Sequence, residues 1–412
     1  MLSVGAPLLS GAALAERLLA LDAFLQAQQG IWREKPFTQQ CLAWEADYPE
    51  LASWLRQRSL AQAESCHTKP YQLAAPQPFP RWAQQAKQLT RLGSYPQATL
   101  QARPERMHSG ISGRKWQQIE RFSSALQAGA GQSFALAHSW LDWCAGKGHL
   151  GRYLAWPDSD LACLEFNADL IASGQAISQK YVPHAQHHLC DVLSSASVAP
   201  LQRSDAVVAL HACGDLHTHL VQQVSAQHVP ALALAPCCYN RIQADDYQPL
   251  SALGKKSRLQ LSRDDLNLPL TATVTASARE RRLRDQSMAW RLAFDSLQRE
   301  LRGKDEYLPT PSLAAAWFNK PFAQWCIDLA ALKELPAVPE QNWQALEALG
   351  WQRLAEVRNL ELVRGLFRRP LELWLVLDQA VFLQEQGYTV ELGEFCSMQL
   401  TPRNLLLRAY RT

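Results

Sequence analysis

The sequence predicts an α/β fold: a largely parallel sheet, preceded by a helical N-terminal region and interrupted late by a helical insertion. Three observations carry this. The turn Asp142-Trp-Cys144-Ala-Gly146-Lys147-Gly148-His-Leu-Gly151 follows an apolar run that begins at Ser133, and it opens into the helix-like stretch Leu150–Trp156. Further apolar runs follow it, each breaking into a short polar turn, as buried parallel strands do. With 412 residues, 47% hydrophobic and 19% charged, the chain can bury a complete α/β core and a second helical unit.

Taken in order, residues 1–105 read as a helical N-terminal region. Leu14, Leu18, Leu21 and Leu25 recur at helical spacing, a second helical stretch spans about 42–60, and a proline-rich irregular connection runs from Pro70 to Pro104. Residues 106–240 hold five strands. The first ends at Asp142, the second is Asp160-Leu-Ala-Cys-Leu-Glu165, and the third lies in His187-His-Leu-Cys-Asp191. The fourth, from Ser204, breaks at His211-Ala-Cys213-Gly-Asp215-Leu-His217, and the fifth, from Ala231, breaks at Cys237-Cys238-Tyr239-Asn240. Residues 241–368 read as a mainly helical insertion. In 369–412 the apolar helix Leu371–Gly387 precedes two last strands within Tyr388–Arg411. No internal repeat or low-complexity tract is present.

The glycine turn sits where a strand hands over to a helix, the geometry of a nucleotide-cofactor site. Glycine at 146 and 148 lets the backbone bend and approach a ligand without a Cβ in the way. Gly146, Gly148 and Gly151 formally satisfy the dinucleotide pattern G-x-G-x-x-G, a weak signal alone. Asp142 decides between cofactors: a carboxylate repels a pyrophosphate, whereas S-adenosylmethionine has no phosphate and presents an ammonium and a sulfonium. Glu165, ending the second strand, is placed for two ribose hydroxyls, and Asp191, ending the third, for the adenine amino group. Singly, each acid reads as an ordinary solvated strand end. Their order behind the turn is the signal.

The turn at 142–152, the string Leu-His211-Ala-Cys-Gly-Asp215-Leu-His217 and the run Cys237-Cys238-Tyr239 resemble the methyltransferase-25 type of class I S-adenosylmethionine-dependent methyltransferases. Two flanking segments are similar as well. Gly110-Ile-Ser112-Gly-Arg114-Lys115-Trp-Gln-Gln-Ile-Glu120 is similar to that family's Ser-Pro-Lys-Lys-x-His-Glu, and Leu400-Thr401-Pro402-Arg403-Asn404-Leu405 to its Ser-Pro-Arg-Asn. Gly113 stands for proline, Arg114 for lysine, Gln118 for histidine and Thr401 for serine. The resemblance runs from about 107 to 412 and is thinnest at 241–350. It implies a Rossmann-like class I methyltransferase sheet of seven strands, the last antiparallel. It also implies S-adenosylmethionine as cofactor, held by Asp142, Cys144, Gly146, Lys147, Gly148, Glu165, Asp191 and His211.

Methyl transfer is an in-line displacement, so the protein mainly aligns the reactants and takes a proton if the nucleophile carries one. In the class I fold the fourth- and fifth-strand turns face the methyl group, which makes Asp215 and His217 candidate bases. Tyr239 or Asn240 is a candidate to orient an acceptor. The plainer reading of Asp215 is a helix N-cap, with His217 a solvated imidazole. Lys115 is a candidate partner for the cofactor carboxylate, against the plainer reading of a surface lysine. Cys213, Cys237 and Cys238 beside His211 and His217 raise the question of zinc. Adjacent cysteines are awkward ligands for one tetrahedral ion and the usual spacing is missing, so buried thiols and no metal are expected.

Arg279, Arg281, Arg282, Arg284, Arg291, Arg299, Arg302 and Lys304, interleaved with Trp290 and Phe294, could meet RNA phosphates and bases. Glu280, Asp285 and Asp295 dilute that charge, and an amphipathic helix with Leu283, Trp290, Leu292 and Phe294 as its core stripe is the simpler reading. The ten cysteines show no C-x-x-C spacing, as in a reduced, cytoplasmic protein, and the net charge of +3 announces no polyanionic partner. No signal-peptide or membrane-spanning pattern is expected. The expected function is a methyltransferase acting on a macromolecule, RNA or protein. The Asp/Asn-Pro-Pro-Tyr/Phe turn of adenine-N6 enzymes is absent after the fourth strand. The alternative is a non-catalytic S-adenosylmethionine-binding or partner-binding protein that keeps the fold. Asp142 disfavours a nicotinamide-dependent oxidoreductase.

Overall fold

A computed structural model of the chain describes residues 6–128, 132–271 and 278–411. It divides into two compact units: residues 1–27, 89–274 and 368–412 form the first, 28–88 and 275–367 the second.

The first unit is built on one eight-stranded sheet. Its strands are β1 (Leu9–Ser10), β2 (Ser139–Trp143), β3 (Asp160–Glu165), β4 (Gln186–Leu189), β5 (Ala206–Cys213), β6 (Ala231–Cys237), β7 (Thr389–Glu394) and β8 (Leu405–Tyr410), in the spatial order β1-β7-β8-β6-β5-β2-β3-β4. From β4 through β6 every pairing is parallel. β8 is antiparallel to both β6 and β7, as the resemblance implies for a last strand. Central strands covered on both faces carry unbroken apolar runs, and every residue of β6 is buried. The chain winds outward from β2 to β4, then returns to lay β5 on the other flank of β2. The ends of β2 and β5 thus make the topological switch point, where a sheet of this kind opens a ligand crevice.

Several expectations shift. An eighth strand is added: β1, only two residues long, pairs antiparallel with β7 and is too short to leave a periodic signal. The apolar run from Ser133 is not one strand, because Gln132–Ala135 forms a helical turn that sets Phe134 in a stack on Trp140. The stretch Pro70–Pro104 contains the helix Phe79–Leu89, whose Pro80 lies in the first turn, where a missing N–H costs nothing. Residues 241–271 stay with the sheet. Buried Asp378 holds them, accepting hydrogen bonds from the Tyr247 hydroxyl, the Leu250 and Ser251 amides and the Ser251 hydroxyl.

The helix Ala12–Ala27 buries Leu14, Leu18, Leu21 and Leu25, as their spacing predicts, and packs on the helix Arg368–Glu385 within this unit. The second unit is helical. Its helices Ala278–Arg302 and Phe322–Leu332 enclose a core of Trp290, Phe294, Leu297, Trp325 and Leu329. Trp290 and Phe294 are therefore core side chains with no face for a base, while Leu283, expected in the same stripe, is 36% exposed. Part of the basic run is matched inside the unit, while Arg279, Arg281, Arg282 and Lys304 are exposed. Arg284 meets Asp285, Arg299 meets Asp295 and Asp305, and Arg291 donates to the Thr310 and Pro311 carbonyls. Among the described residues no helix is long and apolar enough to cross a membrane.

Candidate active site

The crevice is lined by three strand ends. After β2 the chain turns through Cys144, Gly146 and Gly148, all at positive φ (56°, 56° and 68°), into the helix His149–Ala155. The two glycines serve different needs. A Cβ on Gly148 would lie 2.8 Å from the His187 ring and 2.9 Å from Cys163 Sγ, so this glycine is required for packing. A Cβ on Gly146 would meet nothing within 4 Å, so that residue faces open space, the kind of cradle a ligand fills.

Glu165 closes the turn from the neighbouring strand. Its Oε2 accepts from the Gly146 amide at 2.8 Å and its Oε1 from the Phe166 and Asn167 amides at 3.0 Å. With two lone pairs on each carboxylate oxygen, Oε1 is filled and Oε2 keeps one position for a ligand hydroxyl. Phe166, next in sequence, is 75% exposed, although an aromatic ring ordinarily seeks burial. Sequence reasoning passed over it; its only signal is its place beside a strand-ending acid. Asp191, beyond β4, is exposed and accepts from its own Leu193 amide.

Asp142 does not face the open space. Only 3% exposed, it accepts the Gly151 amide at 2.8 Å and so ties the end of β2 to the helix that follows the turn. Burial raises its pKa to about 7, against the Gly151 hydrogen bond and the Arg152 and Lys115 charges that oppose the shift. Its part is to shape the turn. Lys115 is exposed, yet its charge acts on Asp142, His149 and His211, which sets it near the turn. Cys144 is half-buried and its thiol is pushed up to about 12 by burial, so it stays protonated. Lys147 lies half-buried in the turn, and its carbonyl accepts from the buried Arg152 guanidinium.

The two flanking segments meet at this edge. Arg114 donates to the Leu400 carbonyl at 2.8 Å, and Gln118 donates to the same carbonyl at 3.2 Å. The Gln118 oxygen then faces His211 Nε2 at 2.8 Å, so this ring nitrogen carries the proton. Desolvation holds His211 near pKa 4, hence neutral. Two of the four departures from the resembled pattern, Arg114 and Gln118, thus join the helix Gly113–Gln127 to the closing segment and to β5.

The predicted catalytic residues separate. Asp215 begins the helix Asp215–Ala226, is half-buried, and accepts from the Gln243 amide at 2.7 Å; it does not cap its own helix. It borders a cleft of about 460 Å³ with Leu193, Thr218 and His219, the last a histidine the sequence reading did not single out. A larger cleft of about 950 Å³, walled by Trp116, Tyr153 and Leu400, likewise leaves out Gly146. His217 and Tyr239 lie behind the edge, 1% and 2% exposed, ring to ring at 5.7 Å. His217 bonds Gln379 at 3.1 Å, and its pKa falls to about 3 through burial; the Tyr239 hydroxyl reaches Glu372 at 3.3 Å. Neither is exposed to take a proton from a substrate. Asn240 is committed to Asn267 at 2.8 Å.

Backbone strain gathers here. Of the five non-glycine residues at positive φ among those described, Cys144, His211 and Cys238 fall at the ends of β2, β5 and β6. Such residues cost of order 1–3 kcal/mol each and persist where structure enforces them, often at functional sites.

Residues 114–245 match the profile of a family described as a methyltransferase domain; the stretch runs from the helix Gly113–Gln127 past the end of β6 and holds every strand end described above. No solved structure matches the chain.

Proposed function

We propose that this chain, whose residues 114–245 match the profile of a methyltransferase domain, is an S-adenosylmethionine-dependent methyltransferase with a macromolecular acceptor. One observation carries the reading: at the switch point of a parallel sheet, Gly146 presents an open face while its amide is held by a carboxylate from the next strand. The cofactor supplies an activated methyl group on sulfur. The residues present suit its other parts. The Gly146 turn leaves room for the amino-acid portion, with Lys115 near enough to offset its carboxylate. Glu165 Oε2 accepts from a ribose hydroxyl, Phe166 covers one adenine face, and exposed Asp191 accepts from the adenine amino group.

Asp142 builds the turn and touches no ligand. Neutral His211, fixed by Gln118, lines the wall as a packing and hydrogen-bonding group. Asp215 is the carboxylate placed to take a proton from the acceptor, and buried His217 and Tyr239 support the helix and the turn behind it. The helical second unit contributes no strand to the sheet and is the part of the chain available for acceptor recognition.

The test is transfer of a labelled methyl group from S-adenosylmethionine into extract from cells lacking this protein, followed by nuclease or protease. Label removed by one treatment establishes catalysis and the acceptor class. Binding of the cofactor without label in any fraction would replace this reading with a non-catalytic binding protein.

A further inference from the structure

Three thiols have no role in the preceding account. Cys213 ends β5, Cys237 ends the adjacent β6, and Cys238 follows it. Successive side chains of a strand point to opposite faces, so Cys237 and Cys238 would diverge if the strand continued. It does not. Cys238 takes a φ of 42°, and the pairing of β5 with β6 slips between Leu210 and Cys213, where His211 takes a φ of 68°. Irregular backbone on both strands brings the sulfurs together: Cys213 and Cys237 Sγ are 3.4 Å apart, and all three Sγ atoms lie within 4.8 Å of one another.

We propose that Cys213, Cys237 and Cys238 bind one soft divalent cation, zinc(II) in type, through three thiolates. A tetrahedral ion with sulfurs at about 2.3 Å needs sulfur–sulfur separations of about 3.8 Å. The Cys213–Cys237 separation of 3.4 Å falls short of that value by about 0.4 Å and the three sulfurs lie within 4.8 Å of one another, so small side-chain rotations complete the site. Binding releases the thiol protons to solvent and leaves one net negative charge, which the Arg241 guanidinium, already acting on Cys213 and Cys238, helps to balance. Among the described residues no fourth His, Cys, Asp or Glu joins the group, while Cys213 and Cys238 are only half-buried. Three protein ligands and an accessible fourth position characterise zinc sites that exchange a ligand.

The full chain, purified under reductant and stripped with a chelator, is titrated with cobalt(II) and then zinc(II). One equivalent of cobalt should bind with thiolate-to-cobalt charge-transfer absorption, and one equivalent of zinc should displace it. Zinc should also shield Cys213, Cys237 and Cys238 from iodoacetamide, as mapped by peptide mass. Cys213→Ser and Cys238→Ser should each weaken zinc binding at least tenfold, and Cys41→Ser, exposed in the other unit, should leave it unchanged. Cobalt bound without charge transfer would overturn the proposal, as would alkylation of the three thiols at rates indifferent to zinc. A Cys213–Cys237 disulfide forming in place of metal uptake would overturn it too. The wild-type titration stands even if a variant fails to fold, and no step requires S-adenosylmethionine, so this proposal and the methyltransferase reading fail separately.

Discussion

Gly146 and Gly148 share almost the same left-handed φ, 56° and 68°, so replacing each with alanine incurs a similar backbone penalty of about 1–2 kcal/mol. What differs is the space. The new methyl of Gly148→Ala would press on His187, Cys163 and Arg152, adding overpacking of about 1–3 kcal/mol. That of Gly146→Ala meets nothing within 4 Å and projects into the space assigned to the cofactor. Stability and binding should therefore diverge. Gly148→Ala loses about 2–5 kcal/mol from both terms, and Gly146→Ala about 1–2 kcal/mol from the backbone term alone. Affinity for S-adenosylhomocysteine nevertheless falls at least tenfold in Gly146→Ala, about 1.4 kcal/mol. Urea unfolding read by hydrogen exchange in peptides spanning 139–165 isolates the sheet-bearing unit, and calorimetric titration gives the affinity. Equal destabilisation of both variants, or wild-type affinity in Gly146→Ala, would refute the separation of a packing glycine from a ligand-facing one.

Four further outcomes follow from the same geometry. The folded chain holds the Asp142 proton more tightly than the unfolded chain does, so the stability this group contributes is present at low pH and lost as pH rises through about 7. Asp142→Asn keeps an acceptor for Gly151 and should flatten that decline; parallel urea midpoints for the two proteins between pH 5 and 8 would contradict it. Glu372→Ala removes one of two carboxylates that meet buried Arg369, Glu394 remaining at 2.7 Å, and should cost about 1.5–3 kcal/mol, read by thermal unfolding. Tyr239→Phe removes one 3.3 Å hydrogen bond, worth about 1 kcal/mol, and should leave kcat near wild type; a collapse of kcat with the fold intact would return this tyrosine to the chemistry. Asp215→Asn should lower kcat while S-adenosylhomocysteine affinity is kept, and unchanged turnover would remove Asp215 as the base.

Local and periodic features of the sequence translated directly into structure. The leucine spacing of the first helix, the apolar runs of β3, β5 and β6, and the left-handed turn that the glycines after β2 permit are each legible within a few residues. What stayed hidden depends on partners far along the chain. Nothing near Tyr239 announces Glu372, and nothing near His217 announces Gln379, so two polar residues that read as catalytic turn out to be interior. The basic run looked freer than it is because some of its partners arrive from elsewhere, Glu64 for Arg284 among them. Asp142 was legible as an acid at the turn, but its direction was set by the helix it holds through Gly151. The convergence of Cys237 and Cys238 follows from a single positive φ that no residue pattern encodes, since cysteine has no preference for that region.

The central claim is that the crevice beside Gly146 takes S-adenosylmethionine in preference to a dinucleotide. Calorimetric titration of the wild-type chain with S-adenosylhomocysteine, and in parallel with NAD, tests it most directly. Saturable one-to-one binding of the first, abolished or weakened at least tenfold by Glu165→Ala, with no heat from the second, is the expected result. Binding of NAD, or of S-adenosylhomocysteine at an affinity indifferent to Glu165, would contradict it.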